Sequence, residues 1–448
     1  LSAQERLSNW SRVASGECQV VLGARSALFA PIRNLGLIVV DEEHENSYKQ
    51  ESSPRYHART VARRLAALSN APIVLGSATP SVETYEEARQ GQMRMLRLPV
   101  RAASATLPLV TIEDLTEGYR EGRPALFTPR LLTKLREALD RGDQAILFLN
   151  RRAFAPFVMC KECGQRFVCP QCAVSLALHR RDHLLKCHHC GHQEHPPTEC
   201  PACGSDKVSA FGAGAEKVEE LVKESFPGIA VARLDRDIAR QKGALEQILA
   251  QFRSGSVRIL VGTQMVAKGL DFPRVTIVGV VAADIGLAIP DFRAAERTFQ
   301  VLSQVSGRSG RGDRPGEVVI QTMSPTHVAV RCAQAHDYEA FFNETILERR
   351  EALYPPFCSL VNAVYTGTDR GAVIQASGEG AERLRDLPRC KVLGPADCPI
   401  ERLQGQWRRH LLIKLPPKTE AGPIGERLKP NLPSSVQLTL DVDPYVLL

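Results

Sequence analysis

Six short apolar runs punctuate the chain: Leu35–Val40 (LGLIVV), Pro72–Gly76 (PIVLG), Gln144–Leu149 (QAILFL), Val257–Gly262 (VRILVG), Val275–Val281 (VTIVGVV) and Glu317–Gln321 (EVVIQ). They are continuous rather than alternating, and rich in Val, Ile and Leu. Strands covered on both faces have this composition, and such strands belong to parallel sheets in α/β folds. Between them the period lengthens. Over His57–Asn70, Val61, Leu65 and Leu68 fall on one face of a predicted helix. A second helix begins at Thr128-Pro129, a good N-cap and first-turn pair, and stops at Gly142. Alternating strand and helix patterns lie on both sides of residues 100–127. The pattern therefore predicts one α/β lobe over residues 1–105, a connector over 106–141 and a second lobe over 142–328. Beyond Thr326 prolines recur and the apolar runs weaken, which predicts a separate C-terminal α/β domain over 329–448.

The length of 448 residues suits several domains. Hydrophobic residues at 44% and charged residues at 24% are ordinary for a soluble globular protein. No apolar run approaches the ~20 residues of a membrane-spanning helix, so no membrane partner is expected. The first residues lack the basic start and apolar stretch of a signal peptide and have no initiator Met, so the chain reads as a fragment. A net charge of +7 permits a nucleic-acid partner without arguing for one.

Cysteine changes the picture. Eight of the 13 lie between Cys160 and Cys203, in four C-x-x-C pairs: Cys160/Cys163, Cys169/Cys172, Cys187/Cys190 and Cys200/Cys203. Four pairs make two sites of four cysteines each, and tetrahedral sulfur favours two structural Zn²⁺ ions over an iron–sulfur cluster. Thiols clustered for metal in a long chain point to a reducing, cytoplasmic compartment. Spacing allows three groupings of the pairs. Gly164, Gly191 and Gly204 follow three of them at tight-turn positions. The neighbouring histidines (179, 183, 188, 189, 192, 195) are expected at the surface rather than as ligands. This segment, 158–210, interrupts the second lobe just after its first strand.

Four further elements carry candidate chemistry. The first apolar run ends in DEEH (41–44), and ligand sites of open α/β sheets lie at the carboxyl ends of their strands. There Asp41 could hold Mg²⁺ and Glu42 could orient an attacking water. The second run leads into GSATPS (76–81). The stretch GTQMVAKGLDFP (262–273) offers Thr263, Gln264, Lys268 and Gly269, groups suited to a sugar-phosphate backbone. QVSGRSGR (304–311) presents Gln304, Arg308 and Arg311, and the planar arginine fork suits phosphate oxygens.

In this order, DEEH, SAT, GTQ…KG and QxxGRxGR resemble motifs II, III, V and VI of superfamily 2 helicases. The resemblance implies two RecA-like lobes with parallel sheets, a zinc-binding insertion in lobe 2 and a C-terminal α/β domain. It implies ATP with Mg²⁺ between the lobes, with His44 coupled to Ser77 and Thr79, and with Gln304 and Gly269 on the nucleotide side. Zinc pairs at this place, together with LNRRAFAP (149–156), DFRAAER (291–297) and LDVDP (440–444), narrow the match to the PriA family of primosomal helicases. That resemblance implies an ATP-dependent 3′→5′ DNA helicase restarting replication at stalled forks. Its implied partners are forked and single-stranded DNA, single-strand DNA-binding protein and primosome components, in the cytoplasm at the nucleoid. It also implies nested zinc sites, with Cys160, Cys163, Cys200 and Cys203 on one ion and Cys169, Cys172, Cys187 and Cys190 on the other. Tyr48 and Tyr56 fall in a segment resembling an aromatic-rich loop that senses single-stranded DNA, where aromatics can stack on bases; core packing is the other role open to them. The insertion is expected to act in strand separation or partner docking. The phosphate-cradling string G-x-x-x-x-G-K-[ST] is absent, so this fragment by itself is expected to show negligible ATPase activity. A non-enzymatic zinc module that binds nucleic acid or protein, and a double-stranded DNA translocase on the same core, are the rival readings.

Overall fold

The computed structural model describes residues 2–99, 107–149, 157–179, 182–211, 214–241, 243–267, 272–309 and 315–445, with the backbone alone at Arg236, Asp237, Gln264 and Ala267. The described residues form two compact units, 2–95 with 441–445, and 96–440.

In the first unit, strands β1 (Ile38–Val40) and β2 (Ile73–Leu75) pair in parallel. The helix Ala58–Leu68 covers one face, burying Ala58, Ala62 and Ala66. Ile38 and Val40 turn inward against it, whereas Val39 and Val74 are 62% and 44% exposed. The expectation of strands covered on both faces therefore fails for this pair, because only one face of the described two-stranded sheet carries a helix.

The second unit is built on a six-stranded parallel sheet. Its strands are β3 (Leu109–Asp114), β4 (Gln144–Phe148), then, after β5 (Phe157–Cys160), β6 (Ala177–His179), β7 (Leu184–Lys186), β8 (Gln193–Glu194) and β9 (Val208–Phe211) of the cysteine segment, β10 (Val231–Leu234), β11 (Ile259–Gly262), β12 (Val275–Val280) and β13 (Glu317–Thr322). The order is β10-β11-β4-β12-β13-β3, and every adjacent pair is parallel. The four inner strands are buried on both faces and coincide with four of the six apolar runs. Residues 106–141, read from sequence as a connector, contain the edge strand β3 and the helix Pro129–Asp140 with its Thr128 cap, which packs Leu131 and Leu135 into the core under the sheet.

The C-terminal part forms a four-stranded sheet of β14 (Ser359–Gly367), β15 (Lys391–Leu403), β16 (Gln406–Leu415) and β17 (Val436–Val442), in the order β15-β16-β14-β17. β16 is antiparallel to both neighbours. The helix Arg370–Leu384 closes its own core with Val361, Tyr365, Leu411 and Ile413. Among the described residues no helix is long and apolar enough to cross a membrane.

Candidate functional site

The acidic turn sits at the carboxyl end of β1. Its backbone is fixed by three hydrogen bonds: Gly76 N–H to Val40 O (2.9 Å), Glu43 N–H to Gly76 O (3.0 Å) and Glu45 N–H to Glu42 O (2.8 Å). Glu42 adopts φ of +45°, in the left-handed region that disfavours a β-carbon, and the surrounding bonds hold it there. The four side chains divide in consequence. Asp41 and Glu42 reach solvent, while Glu43 and His44 are buried. His44 Nδ1 lies 2.7 Å from Ser77 Oγ and 3.6 Å from Glu42 Oε2, and Ser77 Oγ in turn accepts from Thr79 N–H at 3.0 Å. The structure thus brings Asp41, Glu42, His44, Ser77 and Thr79 to one edge of the two-stranded sheet.

Glu43, the one member of the acidic turn that the sequence left without a role, is the anchor. Its carboxylate is buried and accepts from Ser81 N–H (2.6 Å), Thr84 Oγ1 (3.1 Å) and the guanidinium of Arg59 (2.5 Å). Burial alone would lower the Arg59 pKa, but its interactions with Glu43, Tyr445 and Glu83 together more than offset that, so the guanidinium stays charged. Ser81 also caps the helix Val82–Arg89. One residue therefore ties the acidic turn to the SAT loop and to two helices. Its partners come from two separated segments, Arg59 in one helix and Ser81 with Thr84 at the start of another, which no local pattern could have joined.

Tyr48 donates from its hydroxyl to Asp41 O at 2.7 Å. Burial, then the nearby carboxylates led by Asp41, raise its pKa, so it remains a donor. The Tyr56 ring packs edge-on against Phe29 at 5.3 Å. Both tyrosines are half-buried.

In the second unit, Thr263 follows β11 and Gln264 opens the short helix Gln264–Ala267. Gln304 and Arg308 lie at the end of the helix Ala294–Ser306, both half-buried. That helix is pinned by buried ion pairs from the DFRAAER segment, Arg297 with Asp291 at 3.0 Å and Glu296 with Arg349. Lys268, Gly269 and Arg311 lie outside the described residues.

The eight cysteines form two clusters, Cys160, Cys163, Cys200 and Cys203, and Cys169, Cys172, Cys187 and Cys190, with all ligand atoms of each within 4.8 Å of one another. Of the three groupings that spacing allows, the structure makes the nested one. Sulfur separations of 3.6, 3.7 and 3.6 Å for Cys160–Cys203, Cys163–Cys200 and Cys169–Cys190 match the about 3.8 Å expected between thiolates sharing one tetrahedral Zn²⁺. The donor sets fit zinc, with no open position for catalysis. Each pair opens a knuckle in which the fifth residue's N–H returns to the first cysteine's carbonyl at 2.8–2.9 Å: Gly164, Ala173, Gly191 and Gly204. All four have positive φ, from 53° to 82°, which explains three glycines and shows Ala173 in the same role.

The module is welded to both of its neighbours within the unit. A β-carbon on Gly164 would lie 1.8 Å from Met323 O at the end of β13, and Arg166 donates to Leu287 O at 2.8 Å. Gly164→Ala should therefore lower stability by roughly 3 kcal/mol, read as a fall in the urea midpoint at unchanged slope. On the other side, Cys169, Cys172 and Cys187 share a core with Tyr354, Leu360, Leu393 and Leu412. Tyr354 donates to Cys172 O (3.0 Å), His189 Nδ1 lies 3.1 Å from the Tyr354 hydroxyl, and His188 Nδ1 lies 3.1 Å from Asp397 O. His188 and His189 are thus buried, not at the surface as expected. They are polar spacers in the seam with the C-terminal sheet, held neutral by burial, which lowers their pKa to about 4.

Comparison with known proteins agrees with this arrangement. Residues 169–194 match the PriA DNA helicase Cys-rich region domain, 204–313 the helicase conserved C-terminal domain, and 350–445 the primosomal protein N C-terminal domain. Replication restart protein PriA of Treponema pallidum is 41% identical over 99% of this chain and 67% of its own length. The chain belongs to the PriA family. The Bacillus subtilis and Synechocystis PriA proteins are 41% and 43% identical over 100% and 99% of the chain. The chain spans 56% and 55% of their lengths, so it corresponds to about half of those PriA relatives. Membership makes the parallel-sheet unit a RecA-like helicase lobe carrying a PriA zinc module, and the β14–β17 sheet a PriA C-terminal domain.

Proposed function

We propose that these residues are the motor and zinc-binding part of an ATP-dependent 3′→5′ DNA helicase that remodels forked DNA and begins primosome assembly at stalled forks. The observation that carries this reading is the acidic turn: two exposed carboxylates at a strand's carboxyl end, with His44 in hydrogen-bond contact with the SAT loop. Family membership supplies the context. In this reading Asp41 holds the Mg²⁺ of ATP, Glu42 orients the attacking water, and His44 reports the state of the nucleotide to Ser77 and Thr79. Arg308 and Arg311 stabilise charge on the γ-phosphate, with Gln304 and Gly269 beside the nucleotide. Thr263, Gln264 and Lys268 grip the backbone of one DNA strand, and Tyr48 and Tyr56 respond to its bases. The two zinc ions are structural. Partners would be forked and single-stranded DNA, single-strand DNA-binding protein and primosome components, at the nucleoid in the cytoplasm.

The reading is tested by comparing ATP turnover of the full-length protein with that of these 448 residues. Turnover stimulated by single-stranded DNA is expected from the first and negligible turnover from the second, because the chain contains no G-x-x-x-x-G-K-[ST] string to cradle phosphates. Robust hydrolysis by the 448 residues alone would contradict it.

A further inference from the structure

The segment Asp441–Tyr445 belongs to the first compact unit although nearly four hundred residues separate it from the acidic turn. Its contacts converge on that turn. The Tyr445 hydroxyl donates to His44 O at 3.0 Å, and the Tyr445 ring lies 5.4 Å from the His57 ring. Lys49, itself 5% exposed, sends its ammonium to Asp441 Oδ1 and to Val442 O, each at 2.7 Å. Lys49 and His57 form the bridge that closes the loop after the turn, reinforced by Gln50 N–H to Tyr56 O at 2.8 Å. The turn is thus held at both ends by tyrosine hydroxyls: Asp41 O by Tyr48 from its own loop, and His44 O by Tyr445 from the C-terminal segment.

This geometry has a chemical consequence. Asp41 and Glu42 are exposed side chains on a backbone that places Glu42 in a left-handed conformation. Burial does not fix them: Asp41 Oδ1 accepts from Glu42 N–H at 3.0 Å and Glu42 Oε2 lies 3.6 Å from His44 Nδ1, so their aim follows the backbone of the turn and the bonds that hold its carbonyls. A buried ion pair and a buried hydroxyl bond do that from outside the turn's sequence neighbourhood.

We propose that Tyr445 and the Lys49–Asp441 pair are positioning residues for the acidic turn, clasping it in the geometry that aims Asp41 and Glu42. The proposal rests on the reading of that turn as the hydrolytic element. Neither Tyr445 nor Lys49 touches the reacting groups; each acts through the backbone of residues 41–49.

Hydrogen exchange on these 448 residues tests the clasp directly. Tyr445→Phe removes one hydroxyl and leaves the ring. It should speed exchange about five-fold at the amides of Glu43 and Glu45, the factor expected for one lost buried hydrogen bond. The helix Ala58–Leu68 should keep its protection. Lys49→Met should reproduce the effect, and Lys49→Arg, which keeps the charge, should restore much of it. In the full-length protein the same Tyr445→Phe change should lower kcat for ATP by about the same factor while KM for ATP stays unchanged. Unchanged exchange at Glu43 and Glu45 would overturn the proposal. So would equal acceleration through the helix, which would mark general support of the unit, or a loosened turn with kcat intact. If Glu42→Gln leaves turnover untouched, the hydrolytic reading fails instead, and the exchange result still decides the clasp.

Discussion

Cys187→Ser should release one of two bound zinc ions and unfold the C-terminal sheet while the parallel sheet survives. The expected size follows from comparing two energies. A structural zinc ion contributes on the order of 10 kcal/mol to the fold of a small module, whereas a whole domain is stable by only about 5–15 kcal/mol in general. Cys187 belongs to the cluster whose walls are shared with Tyr354, Leu360, Leu393 and Leu412, so its loss opens the core beneath β14–β16. The other cluster begins at Cys160 on β5, whose Phe157 and Met159 lie in the core of the parallel sheet. Hydrogen exchange should therefore show β14 and β16 losing protection while β4 and β12 retain theirs. In the full-length protein, ATP turnover should fall no further than loss of the Asp441–Tyr445 clasp lowers it, whereas strand separation should be lost. Intact protection at residues 359–415 after loss of the ion would show that the shared core holds without its metal. Equal loss in both sheets would show one cooperative unit with no division of labour between the clusters.

Glu42→Gln in the full-length protein should cut DNA-stimulated ATP turnover by at least about 100-fold, the usual contribution of a group that activates or orients a nucleophile. The side chain is exposed, and the backbone at this turn is held by Glu43, Tyr48 and Tyr445 rather than by Glu42 itself. The change should therefore leave the thermal midpoint alone, and KM for ATP should hold, because the amide keeps the size of the carboxylate while losing its charge and basicity. A variant that hydrolyses ATP at the original rate would remove Glu42 from the chemistry.

Legibility divides along physical lines. All six continuous apolar runs became parallel strands, and for the four inside the six-stranded sheet the reason is that such a strand has no polar face to interrupt its pattern. The two strands without such a run, β3 and β10, are the two edges of the six-stranded sheet, half-exposed along most of their length, and an edge strand is free to carry polar residues. The zinc ligands were legible because thiolate chemistry fixes a short local spacing, whereas the nested grouping, a tertiary property, was legible through the family resemblance and not through spacing. Ala173 stayed hidden since only glycine advertises a left-handed turn. Glu43, Arg59, Ser81 and Thr84 stayed hidden for a different reason. Each is an ordinary residue type made special by burial against partners from distant segments, and a sequence read locally holds no record of such meetings. Tyr445 belongs with them, as do His188 and His189, whose polar side chains gave the pattern of a surface and whose places lie in a seam.

Strand displacement on forked DNA is the most direct measurement. With ATP and Mg²⁺, the full-length protein should separate a duplex by moving 3′→5′ along a single-stranded tail, and should fail with a non-hydrolysable analogue or with Glu42→Gln. ATP hydrolysis without displacement of any strand would leave a translocase, and displacement without hydrolysis would contradict the motor account altogether.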